Sequence, residues 1–235
     1  MKDQQRPDAG RIVRDELRDP RATGAPGPIS TSGGTSGGAS GGASGGTLDL
    51  RRVLSTIHGL ARWTRNEFDS VDCYVKTFNA RLRAISSAYD TTQRHSGTQF
   101  DLAEMAEVIR RLFITSGGDK IQLQGPRLML PATIALPMGL VLHEWMECSR
   151  SRGVLTMDDA RVTLHWAVEP PALRMQWAER TTASVLPEPK ACHVCLVKGL
   201  AEFDLAGQFT ADCEPHHHWC NLDLQADFIQ PDARG

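Results

Sequence analysis

Near the C-terminal end of the chain, Cys192-His-Val-Cys195 and Cys213-Glu-Pro-His216-His217-His218-Trp-Cys220 gather soft and borderline metal ligands. A Cys-x-x-Cys pair is a common zinc half-site, and Cys192, Cys195, Cys213 and Cys220 would complete a tetrahedral thiolate set. The elements expected around them point to another use. If residues 192–203 are helical, Cys195 faces a sheet about one turn from Cys192. Cys213 and Cys220 then flank a hairpin turn on strands whose alternate residues enter the core, where thiols act as small hydrophobes. The three consecutive histidines read as exposed turn residues or as an adventitious metal site. No metal and no cofactor is expected, with zinc as the alternative.

The elements that must position these groups are legible from periodicity. Leu50, Val53, Leu54, Ile57, Leu60, Ala61 and Trp63 recur at helical spacing within residues 48–67. Ser70 is a suitable N-cap for a second helix striped by Val71, Tyr74, Val75, Phe78, Leu82, Ile85 and Tyr89. The short break at Phe68-Asp69 makes the pair an antiparallel hairpin. Its two wide apolar faces predict a four-helix bundle shared by two chains, with Leu54, Ile57, Phe78, Leu82 and Ile85 at the dimer interface. Beyond a connection at 93–99, the pattern predicts a helix over 102–113, a strand over 120–124 and a helix over 131–150. Strands over 161–168 and 173–179, a helix near 194–203 and a hairpin of strands 208–213 and 219–224 follow. Helices interleaved with strands imply a two-layer α/β sandwich, and the class is α+β.

Eleven of the 21 glycines fall in the first 46 residues, eight of them in the repeat from Thr31 to Gly46. Such a Gly/Ser linker has a random-coil reach of about 22 Å. The expected organisation is a head peptide at 1–30, a linker at 31–47, a helical hairpin at 48–95, the sandwich at 99–226 and a tail at 227–235. The head holds one short amphipathic segment with Ile12, Val13 and Leu17 on its apolar face, which reads either as part of a disordered tail or as a helix that folds on docking in a groove of the body. With 40% hydrophobic and 23% charged residues and a formal charge of −2, the chain reads as a cytoplasmic protein, bacterial or eukaryotic, with reduced cysteines and no membrane segment. That balance gives no global footprint for nucleic acid.

The segment Leu60-Ala-Arg-Trp-Thr64, the run Ser70-Val-x-x-Tyr-Val-x-x-Phe-x-x-Arg-Leu82, the stretch Ala135-Leu-Pro-Met-Gly-Leu-Val-Leu-His-Glu144 and Trp177-Ala-Glu179 follow one another in fixed order. Together they resemble the HWE-type sensor histidine kinases over nearly all of residues 48–226. The first two look like that family's dimerisation hairpin, the third is similar to its N-box helix, and the fourth to its Trp-x-Glu element. The naming histidine, tryptophan and glutamate fall on His143, Trp177 and Glu179. The resemblance implies a dimerisation and phosphotransfer hairpin joined to a Bergerat-type ATPase sandwich.

The departures from that pattern concern its chemistry. The family's phosphoacceptor histidine falls on Leu48, which has no nucleophilic atom, and His58 lies ten residues further along the same helix. The magnesium-binding asparagine falls on Cys148 and the following lysine on Ser151. A thiol is a poor ligand for hard Mg²⁺. Close backbone approach to phosphate requires glycine, and none occurs between Gly153 and Gly199, while Pro187 and Pro189 stiffen the segment where the family has its ATP lid.

These departures imply a degenerate member of the family, a pseudokinase with no catalytic residue. It would act as a dimeric signalling adaptor that binds a response-regulator receiver domain, another regulator or its own head peptide. Two binding surfaces are expected. One is the vestigial nucleotide pocket of His143, Glu144, Cys148, Trp177 and Glu179; the other is the hairpin face around Arg51, Arg52, Arg62 and Arg65. An active phosphotransferase using His58 or His95 is one alternative. A DNA-binding regulator is another, although Asp49, Glu67 and Asp69 dilute its basic face.

Overall fold

The structure, a computed structural model, describes residues 50–225 other than Asp69 and Lys190, and of Asn66, Ala191 and Cys192 only the backbone. The expectations for Ile12, Val13 and Leu17, for the linker and for the tail lie outside the described residues. Helix α1 spans Leu50–Glu67 and α2 spans Val71–Gln93, one turn longer than its apolar stripe predicts. The Ser70 hydroxyl caps α2 by accepting from the Cys73 amide at 3.5 Å. Three-residue strands β1, Gln99–Asp101, and β3, Met129–Pro131, pair antiparallel around helix α3, Leu102–Arg111. Asp101 caps α3 through Ala103, at 2.9 Å.

The main sheet contains β2, Ile121–Gln124; β4, Arg161–Glu169; β5, Ala172–Arg180; β6, Gln208–Glu214; and β7, His217–Gln225, in the order β2-β4-β5-β7-β6. Only β2 and β4 run parallel, with Ile121 opposite Val162. Alternation decides the layers. Val162, Leu164 and Trp166 of β4, Leu173, Met175 and Trp177 of β5, and Cys220, Leu222 and Leu224 of β7 are buried in one core with the helices. Each large apolar side chain so buried contributes about 1.5–3 kcal/mol. The opposite sheet face is polar, and there Gln176 donates to Asn221 at 2.9 Å. Helix α4, Ala135–Ser151, is the spine of the helical layer, and helix α5, Ala191–Gly199, leads into a wide turn at Leu200–Asp204. This is the predicted α+β sandwich with its preceding hairpin.

The hairpin lies against α4 instead of standing apart. At Gly139 the approach is so close that an added Cβ would sit 2.6 Å from the Ala88 Cβ of α2. This corrects the argument that a second chain must cover the hairpin's apolar face, since α4 of the same chain does so. Ile85, expected at a dimer interface, is only 3% exposed within one chain. Ile57 and Phe78 also pack on this core and Leu82 is half-buried, whereas Leu54 stays 56% exposed. None of the described helices is long and apolar enough to cross a membrane.

Candidate functional site

Two buried ion networks meet on α4. The first joins the hairpin to the sandwich. Arg81 of α2 has a side chain with no exposed surface, and its guanidinium donates from Nε to Glu144 Oε1 at 2.9 Å and from Nη2 to Oε2 at 3.0 Å. Its remaining donors reach Glu67 Oε2 at 2.7 Å and Thr64 Oγ1 at 2.8 Å, both on α1. Glu144 also accepts from Nδ1 of its neighbour His143 at 3.1 Å and from Nδ1 of His193, at the start of α5, at 2.8 Å. Burial alone would raise the pKa of Glu144. The Arg81 charge and the hydrogen bonds from His143, His193 and Arg81 outweigh it, holding the carboxyl well below the usual range. For Glu67 burial wins over Arg81 and its carboxyl is pushed up.

The second network centres on Glu179 of β5, which has no exposed side-chain surface. It accepts from Arg152 Nη2 at 2.6 Å, from the Ser149 hydroxyl and from Trp177 Nε1 at 3.1 Å, while His218 Nδ1 lies 3.4 Å away. Burial opposes ionisation, but the His218 hydrogen bond and the Arg152 charge prevail and hold Glu179 at about 2. Trp177 stacks on Trp145 with ring centroids 6.2 Å apart. Beside them burial pushes the Cys148 thiol up to about 12, which keeps it protonated at neutral pH.

Glu144, Cys148, Trp177 and Glu179 do converge, as expected for a pocket. With Trp145, His193, Val197, Phe209 and Cys220 they line a space of only about 10 Å³. That admits about one water molecule, against roughly 300–1,000 Å³ for ordinary small-molecule sites. A nucleoside triphosphate does not fit these residues as they stand. The side chain of His193 fills part of the space, and this residue was missed as a site member because its sequence context read as part of the cysteine cluster. His143 turns the other way. It lines a second cleft of about 390 Å³ between α2 and α4, which meets the closed space at His193.

The remaining expected residues divide. Arg51, Arg62 and Arg65 are exposed on α1, whereas Arg52 is half-buried and its charge acts on Asp204, so the four do not form one face. His58 is exposed, and His95 Nε2 lies 2.9 Å from Glu104 Oε2. Cys220 is buried with its Sγ 3.7 Å from His218 Nε2, and Cys195 and Cys213 are half-buried. Among the described residues no three His, Cys, Asp or Glu side chains are grouped to hold a metal. Arg81, Thr64 and Glu67 were not foreseen as partners. Their signal was present, because Arg81 stands three residues after Phe78 and four before Ile85, on the apolar side of α2.

Residues 50–127 match the HWE histidine kinase family model. Curated relatives include the blue-light-activated histidine kinase of Brucella anthropi, 24% identical over 115 residues that make up 49% of this chain and 23% of the relative. Another is blue-light-activated histidine kinase 1 of Erythrobacter litoralis, 25% identical over 138 residues, 58% of this chain and 38% of the relative. The chain therefore spans well under half the length of these relatives. Among solved structures, the histidine kinase domain of the Erythrobacter litoralis blue-light activated kinase superposes with a TM-score of 0.54 at 14% identity, covering 77% of this chain and 87% of that one. The longer structure of the same kinase gives a TM-score of 0.60 at 15% identity, with 79% and 62% covered. At such identity the structures speak for the fold, and the family model together with the curated relatives identifies residues 50–127 as a region of the HWE histidine kinase type.

Proposed function

We propose that the chain is a non-catalytic signalling module, a histidine kinase fold that works in the cytoplasm by binding proteins. The observation that carries this reading is the reduction of the space between Trp145, Cys148, Trp177 and Glu179 to about one water's volume. Two features of the same residues support it. Where the family pattern has a magnesium-binding oxygen ligand, Cys148 offers a protonated thiol. Where the pattern calls for glycine-rich backbone, His193 puts an imidazole onto Glu144. Partners consistent with the reading are a receiver domain, the chain's own head segment and a second copy of the chain. Calorimetry with ATP and with a nonhydrolysable analogue at millimolar Mg²⁺ tests it. The expected result is no hydrolysis and no binding tighter than about 100 μM, roughly −5.5 kcal/mol; tighter binding or turnover would overturn the reading.

A further inference from the structure

The cleft between α2 and α4 adjoins the closed space at His193, which lines both, and differs from it in size and charge. Its volume of about 390 Å³ lies in the ordinary range for small-molecule sites. Phe68, Leu112 and Phe113 supply apolar surface, and Phe113 is itself fixed by a tilted contact with the His143 ring at 5.4 Å between centroids. Lys76 and Arg83 stand two turns apart on one wall, about 10 Å along the α2 axis. Among the described residues neither makes a hydrogen bond or an ion pair. Among the described residues the only carboxylate lining the cleft is Glu147, which is already bound to Arg150 by both oxygens. The cleft therefore presents two uncompensated cations above an apolar floor.

We propose that this cleft binds a small organic anion with a flat apolar body, its charge met by Lys76 and Arg83 and its body laid on Phe113 and Leu112. A cation pair alone attracts any anion, but weakly and subject to salt screening. The apolar floor selects those that carry a ring. The site has a structural consequence, because His143 and His193 line the cleft and also hold Glu144. A bound anion thus touches the residues that fasten the sandwich to the hairpin. The inference does not depend on whether the sandwich turns over nucleotide.

Anilinonaphthalene sulfonate, an aromatic anion whose fluorescence rises in apolar surroundings, is a suitable probe for the full chain. Saturable binding at one site per chain is expected, with phenyl phosphate competing for it. The variant Lys76→Gln/Arg83→Gln should lose affinity at least tenfold with an unchanged thermal melt, since both residues are exposed and make no ion pair or hydrogen bond among the described residues. Arg62→Gln/Arg65→Gln, on the exposed face of α1, should bind as the parent does. Equal affinity in all three proteins, or fluorescence that rises without saturating, would overturn the proposal.

Discussion

A guanidinium with no exposed surface has surrendered its hydration, and Arg81 recovers it from Glu144, Glu67 and Thr64. Buried ion pairs of this kind add little net stability over an apolar replacement, but removing one partner strands the others. Arg81→Ala should therefore cost about 3–5 kcal/mol, because two buried carboxylates lose their only shared cation. Adding Glu67→Gln and Glu144→Gln to that variant should restore part of the loss. Denaturant midpoints of the single and triple variants measure both effects, and a single variant as stable as the parent would mean that the network is not buried in solution.

At the scale of elements, the turn after α5 contains a group at odds with its surroundings. Asp204 Oδ2 is buried without a hydrogen-bond partner among the described residues, and burial raises its carboxyl to about 7, with the Arg52 charge only partly opposing. The folded state then keeps a proton that the unfolded chain releases near pH 4, so the stability is full below about pH 4 and falls as pH rises through 7. Asp204→Asn should raise stability by about 1–2 kcal/mol at pH 8 and change little near pH 4, as read from calorimetric melts. Elements of this length were legible in the sequence. Helical stripes over five turns and strands with clean alternation appear almost where periodicity puts them. The β1–β3 ladder did not, because three residues carry no period to read. The candidate pocket was legible only in part of its membership, since His143 lies elsewhere and His193 was missed. Its closure depends on His193 reaching Glu144 across 49 residues of sequence, and no local pattern encodes that distance.

For the whole molecule, the covered hairpin changes what a second copy can touch. Val71 is 74% and Val75 46% exposed, and with the half-buried Leu82 they form the apolar stripe of α2 that α4 leaves open. A homodimer should use this stripe, so Leu82→Asp should shift light-scattering mass to the monomer while the chain stays folded. Ile85→Asp should instead unfold it by placing a charge in the chain's own core. A dimer unaffected by Leu82→Asp would place the interface elsewhere. The position of the Arg81 network along the hairpin has a mechanical consequence. It grips α1 at Thr64 and Glu67, close to one end, while Leu50 at the other end is 72% exposed. Eighteen residues of helix make a rod about 27 Å long. Clamped at its base, such a rod is a lever: a tilt of about 5° at the clamp swings the Leu50 end through roughly 2 Å. Small rotations at the clamp thus become larger displacements at the Leu50 end of the helix.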